Sequence, residues 1–299
     1  MYSAYNLLIQ SEIPLPELSE LKDGINQAAD VSIRFERISQ SGIADGKKLG
    51  PFLWANQNSL WLEVPKVARF LIQNGREILI DPEPGIDQES VRVFLLGSAF
   101  GALLFQRGLL VMHGNAIQIG DQAMICVGHS GAGKSTLATG FMRRGYSILA
   151  DDVIPIDANC NALPGFPRIK LWQDVADHLK IDTRKLDRIR PGIEKFNLPL
   201  GNNFSSKKLP VRWVYILHSE NKLDNFELTP INGMARFRPL QNNTYRLRYL
   251  EGMDLKANHL QLCGKLASTI RLARMTRPSG HFELEGLIDR LLADINENP

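Results

Sequence analysis

The run Gly128-His129-Ser130-Gly131-Ala132-Gly133-Lys134-Ser135-Thr136 constrains this chain more than any other stretch. It fits the pattern GxxxxGK[ST], whose glycines let the backbone aim N–H groups at phosphate oxygens. Such a loop works only between a strand that delivers it and a helix whose N-terminus adds partial positive charge. The flanking sequence offers both. "AMICV" (123 to 127) suits a buried strand, and "KSTLATGFMRRG" (134 to 145) reads as a helix closed by Gly145. "YSILADDV" (146 to 153) then reads as the next buried strand. The order strand, glycine loop, helix, strand predicts an α/β phosphate-loop fold that binds ATP.

The chemistry of each loop residue follows from its type. Lys134 brings a point charge toward the β- and γ-phosphates, and the Ser135 hydroxyl is placed to ligate Mg²⁺. The metal also needs a carboxylate, which Asp151 and Asp152 supply at the end of the following strand. Neighbouring residues on a strand face opposite sides, so one aspartate can serve the metal and the other a substrate hydroxyl. His113, in "VMHGNAI", lies on the strand before the loop strand. A lone histidine is more often structural than catalytic, and spacing alone leaves both roles open for His113.

Two domains are expected, a β-rich one over 1–85 and a phosphate-loop domain over 86–299. In the first, "DVSIRFERI" alternates Val31, Ile33 and Phe35, "SLWLEV" and "VARFLI" are β-prone, and Asn74-Gly75 is a hairpin signal. "DPEPG" (81 to 85) breaks the pattern. A helix over about 89–107 ends at Arg107-Gly108, and Gly120-Asp121 reads as a two-residue hairpin between two strands. "VRWVYIL" (211 to 217) reads as a strand, and helices are expected over 254–274 and 281–295.

The 299 residues carry a formal net charge of +3, too small to argue for nucleic acid. The most apolar stretch, 93–105, falls short of the roughly 18 to 20 residues that span a bilayer, so no membrane partner is expected. Cys126, Cys160 and Cys263 form no CxxC pair. With no secretory pattern at the N-terminus, a reducing cytoplasm is the simplest compartment.

"MHGNAI", "GHSGAGKST" and "GYSILADDV" together resemble the HPr kinase/phosphorylase family and its relatives, the HPr-kinase-like serine kinases. The resemblance covers about 91–175 well and the C-terminal part weakly. It implies a phosphate-loop fold similar to the HPr kinase C-terminal domain and to phosphoenolpyruvate carboxykinase. It also implies that His113 sits near the γ-phosphate and the acidic pair. Asp151 would be the base that takes the proton from an accepting serine, and Asp152 would hold Mg²⁺. "PGFPRIKLWQD" (164 to 174) resembles a stretch of the same branch and points to Arg168 or Lys170 as substrate or phosphate ligands. This loop ends in Ser-Thr where the HPr enzymes carry Ser-Glu, and there is no "PGRN"-like stretch. "IPLPEL" near the N-terminus resembles the branch associated with modified-peptide biosynthesis, including kinases of lasso-peptide precursors.

The reading expected is therefore an ATP-dependent kinase acting on a serine of a peptide or small protein. Two alternatives stay open: a small-molecule kinase of the same fold, and a regulatory module that binds nucleotide without transferring phosphate. The sequence leaves a homo-oligomer open as well. The arginine clusters "RKLDRIR", "RFR", "RLR" and "RLARMTR" read as solvated faces, with the alternative left open that one of them binds an acidic partner or the triphosphate.

Overall fold

The structure, a computed structural model, describes residues 1–21, 27–221, 223–279 and 283–298. Nine strands occupy the amino-terminal region: β1 (Tyr2–Ala4), β2 (Leu7–Ser11), β3 (Ser19–Glu20), β4 (Val31–Phe35), β5 (Lys47–Gly50), β6 (Leu53–Ala55), β7 (Ser59–Val64), β8 (Ala68–Gln73) and β9 (Glu77–Pro82). They form one sheet in the order β3-β1-β2-β4-β9-β8-β7-β6-β5. Asn74 and Gly75 take positive φ values of 53° and 63°. Positive φ at both central residues matches strand twist and sets the β8–β9 register at Gln73↔Glu77.

The next element is one long helix in three parts: α1 (Gln88–Phe94), a π-helical turn (Leu95–Ala99) and α2 (Phe100–Gln106). Asp87 caps it by accepting from the Ser90 N–H at 2.6 Å, and Gly108, with φ 75°, follows its end. By composition this helix is long and apolar enough to cross a membrane, and most of it is buried inside the protein. Leu95, Phe100 and Leu103 join Ile33, Phe70 and Ile80 of the sheet in a single core. The expected domain boundary at 85/86 falls in the turn between β9 and α1, and that core runs across it.

A second sheet follows, built from β10 (Leu110–Ile119), β11 (Gln122–Val127), β12 (Ile148–Ile156), β13 (Asn161–Ala162), β16 (Leu209–Glu220), β17 (Glu227–Pro230) and β18 (Arg271–Pro278). Between them lie α3 (Lys134–Arg143), a two-stranded sheet of β14 (Arg168–Trp172) and β15 (Lys195–Pro199) with α4 (Gln173–His178) after β14, and then α5 (Phe237–Asn242), α6 (Arg248–Gly252) and α7 (Lys256–Thr269); α8 (Leu284–Glu297) ends the described chain. The hairpin at Gly120-Asp121 joins β10 to β11 antiparallel, and β11 runs parallel to β16. Ile125 and Val127 of β11 pack toward α7 residues Leu262 and Leu266, whereas Met124 and Cys126 pack toward Leu137 and Phe141 of α3 and Ile288 of α8. With both faces covered, a strand must be apolar throughout, which is why "AMICV" shows no alternation. Phe141 is fully buried, and truncating it to Ala would cost about 3–5 kcal/mol.

Three expectations need correction. The helix expected over 254–274 ends at Thr269, and Arg271–Pro278 is a strand paired parallel with β16. Leu272, Ala273 and Met275 are buried there, so the tertiary environment overrides helix propensity. The last helix is α8, and residues 281 and 282, with which it was expected to begin, lie outside the described residues. Asp151 and Asp152 sit in the middle of β12, not at a strand end.

Candidate functional site

The phosphate loop leaves β11 at Val127 and enters α3 at Lys134. Gly133, with φ 94°, is the N-cap, and no side chain caps the helix, so its first-turn N–H groups are left for an anion. Lys134 folds back over the loop, where its Nζ donates to the carbonyls of Gly128 (2.7 Å) and His129 (3.0 Å). Burial lowers its pKa, although the nearby aspartates oppose that shift. A triphosphate in the loop would meet this ammonium from the side that the two carbonyls leave open.

His113 and Asn115 stand two residues apart on β10, on one face; across the β12 pairing Asn115 meets Asp151, Gly114 meets Asp152 and His113 meets Val153. Gly114 separates them because β11 passes too close for a side chain: a Cβ there would lie 2.2 Å from the Cys126 carbonyl. The Asn115 amide donates to Asp151 Oδ1 at 2.8 Å, and the Lys170 backbone N–H donates to Asp151 Oδ2 at 2.8 Å. Lys170 Nζ reaches Asp152 Oδ2 at 2.7 Å. A single β14 residue thus grips both carboxylates. His113 Nδ1 lies 2.9 Å from the Asp152 carbonyl and 3.3 Å from its Oδ1. A carbonyl can only accept, so Nδ1 carries a proton in this contact.

Sequence alternation placed Asp151 and Asp152 on opposite faces, and this is incorrect. Asp152 has φ +75°, a left-handed conformation that a side chain rarely adopts, and it interrupts the pleat. Both carboxylates consequently line the same cavity. Their environments still differ. Burial, reinforced by the Asp152 charge, raises the pKa of Asp151 against the pull of its two hydrogen bonds. Burial would raise Asp152 too, but the Lys170 ammonium and His113 outweigh it and hold this carboxyl well below the usual range.

Two cavities meet at this point. One, of about 550 Å³, is lined by Gly131, Gly133, Lys134, Ser135 and Thr136 of the loop and helix, with Asp151, Trp172 and Lys195. The other, of about 530 Å³, is lined by Gly97 and Ser98 of the π-helical turn, by Gly128 and His129, and by Asn242 to Arg246. His113, Ser130, Asp152 and Lys170 border both, and form the wall between them.

The second cavity exists because β11 ends early. Beyond Val127 the edge of β10 is vacant, and residues 243–245 take it: His113 N–H donates to the Asn243 carbonyl and Tyr245 N–H to the Val111 carbonyl, both at 2.8 Å. Tyr245 then lies against Gly101 of α2, where a Cβ would come within 2.6 Å of its ring. Arg246 follows, its guanidinium 5.7 Å from the Tyr245 ring centroid.

Of the residues singled out from sequence, Lys170 lies in the wall, whereas Arg168 lines a separate cleft. Asn115, Lys195, Tyr245 and Arg246 were not anticipated. A periodic reading could have flagged Asn115, a polar residue in a mostly apolar strand, at i+2 from His113. Lys195 depends on a long-range pairing with Trp172 and carries no local signal. The arginine clusters are not simply solvated: Arg271 is bound to the buried Asp294, and Arg236 donates to the Ile231 and Ala267 carbonyls.

Among the described residues no cluster of three or more His, Cys, Asp or Glu could hold a metal by itself. Ser135 and Asp152 line one cavity, however, and Mg²⁺ is commonly held by one or two protein oxygens together with substrate phosphates and water. The donor set present fits such an ion. Bound there, it would supply charge neutralisation at the phosphates.

No protein-family model matches the sequence, and no curated protein matches it. Among solved structures, the Hpr(Ser) kinase/phosphatase from Coxiella burnetii matches with 14% identity over 62% of this chain and 95% of that one, at a TM-score of 0.29. A score this low adds nothing to what the strand order and the loop of this chain already say.

Proposed function

We propose that the protein is an ATP-dependent kinase that transfers the γ-phosphoryl group to a serine hydroxyl of a peptide or small protein. The observation that carries this reading is the shared wall. A phosphate-binding cavity and a second cavity meet at His113, Ser130, Asp152 and Lys170. Transfer between two substrates requires such a meeting, whereas a module that only binds nucleotide needs one cavity.

Phosphoryl transfer depends on positioning and on neutralising charge, with a group to accept the hydroxyl proton. Lys134, the α3 N-terminus and Lys195 neutralise the phosphates from one side, and Lys170 does so from the wall. The bond from the γ-phosphorus to the bridging oxygen breaks, the bond to the serine oxygen forms, and the serine proton passes to Asp151. Its raised pKa makes Asp151 a better base than an ordinary carboxylate. Each of its oxygens accepts one protein hydrogen bond and keeps lone-pair capacity for a proton. Asp152, held ionised, suits the metal. One observation favours exchanging these two roles: only Asp152 of the pair borders both cavities.

The resemblance to HPr-kinase-like enzymes of modified-peptide biosynthesis makes ribosomally made precursor peptides, including lasso-type precursors, the first acceptors to try. The test is mass spectrometry of a mixture of such serine-containing peptides after incubation with Mg·ATP. A phosphate mapped to serine supports the kinase. Phosphate on small hydroxyl compounds but on no peptide would move the assignment to a small-molecule kinase.

A further inference from the structure

A third cleft, of about 910 Å³, lies between the amino-terminal region and the segment that links α4 to β15. Its lining is polar and incompletely paired. Arg168 is only 6% exposed, and among the described residues it has no ion-pair partner; its Nε is buried without a hydrogen bond. Arg190, across the cleft, also has a buried Nε with no partner. Lys185 also lines the cleft, together with Arg92 and Arg188, which are paired to Glu17 and Glu194, and with the carboxylates of Glu17, Glu89 and Asp187. Acceptors are left over as well: Asn197 Oδ1 is buried and unpaired, and Glu17 uses Oε1 for Arg92 at 2.9 Å while its Oε2 has no donor.

The Arg168 guanidinium lies 5.4 Å from the Phe166 ring centroid, and burial lowers its pKa although the charges of Glu17, Asp151 and Asp152 oppose that shift. A ligand with carboxylates for the guanidinium groups of Arg168 and Arg190, and N–H groups for the Asn197 amide and the Glu17 carboxylate, would match side chains that line the cleft. A peptide with acidic side chains carries both kinds of group. The position of the cleft favours a peptide over a free anion. Arg168 and Lys170 stand two residues apart on β14, about 6.6 Å along an extended strand, so one strand joins the cleft to the reaction wall.

We infer that this cleft docks an acidic segment of the phosphate-accepting peptide, with Arg168 and Arg190 binding its carboxylates. The inference rests on the serine-peptide reading given above, and its test separates the two. Two short fluorescein-labelled peptides serve as probes, each with a serine flanked by glutamates or, in the control, by glutamines. Binding is measured by anisotropy for the wild type and for Arg190→Gln, with Mg·ATP affinity measured in parallel as a check on folding. Charge-assisted pairing to Arg should make the glutamate peptide bind about tenfold more tightly. Arg190→Gln should erase most of that preference and leave Mg·ATP affinity unchanged. A second variant, Arg168→Met, checked first by thermal melting, should erase it too.

Equal binding of the two peptides, or a preference that survives both substitutions, would overturn the docking cleft. So would competition by free glutamate as strong as competition by the unlabelled peptide. Transfer of phosphate to the same peptides is read separately. Selective binding with no transfer would leave the cleft standing and count against the kinase, whereas transfer without charge preference would do the reverse.

Discussion

The two cavities that meet at His113 and Asp152 are built in different ways. On the nucleotide side, consecutive residues from Gly131 to Thr136 curve around the space, backed by Lys195 and the N-terminus of α3. On the other side, the lining comes from a π-helical turn and from a segment about 150 residues further on, carrying Tyr245 and Arg246. The first sets the ammonium groups of Lys134, Lys170 and Lys195 and the N-terminus of α3 beside the carboxylates of Asp151 and Asp152, a lining that the proposed reading fills with a metal-bound polyphosphate. The second offers a tyrosine ring, amides and one guanidinium, a lining suited to a larger and more varied molecule. A kinase needs this asymmetry, because its donor is constant and its acceptor sets specificity.

Substitutions should divide along the same wall. The largest effect is expected from Asp151→Asn, which keeps the shape but accepts a proton poorly. Transfer should fall roughly a hundredfold or more while Mg·ATP affinity stays near wild type. If Asp152→Asn shows that pattern instead, the two roles are exchanged. Next comes Lys134→Ala, which should weaken nucleotide binding by at least about tenfold, of order 1.4 kcal/mol, in a titration with a fluorescent ATP analogue. Asp152→Asn should weaken Mg·ATP binding and recover in part when Mg²⁺ is raised, a dependence that Asp151→Asn should lack.

On the acceptor side, Arg246→Gln should raise the acceptor KM about fivefold, near 1 kcal/mol, and leave nucleotide affinity alone. An equal change in both would show that the cavities do not act separately. The smallest effect concerns pH. Transfer requires ionised Asp151, and burial raises the pKa of that group, so the rate should fall on the acid side at a higher pH than an unperturbed aspartate would set. The Asn115 amide stabilises the ionised form, so Asn115→Leu should move this acid limb to still higher pH in a rate profile.

The passage from β11 through the glycine loop into α3 was legible in the sequence because its residues are contiguous and each turn signal is local. The Asn74-Gly75 and Gly120-Asp121 hairpins were legible for a similar reason, since each turn is local. The acceptor side was not. Tyr245 reaches it only because β11 stops at Val127 and leaves a free edge on β10, an event with no mark at residue 245 itself. The facing of the aspartates misled for another reason. Alternation holds for regular strands, and the left-handed φ of Asp152 is a departure that the residue type alone does not announce. The first four residues of β18 were taken for the end of a helix, and pairing with β16 is what makes them a strand.

The central claim is that phosphate crosses the wall from one cavity to the other and not into water. Single-turnover reaction of the enzyme with γ-labelled ATP, in the presence of a serine peptide, measures the division of label between peptide and free phosphate. The account predicts label on the peptide serine in excess of free phosphate, and its loss in Asp151→Asn with nucleotide still bound. Label that appears only as free phosphate, or stays on tightly bound ATP whatever acceptor is offered, would contradict it.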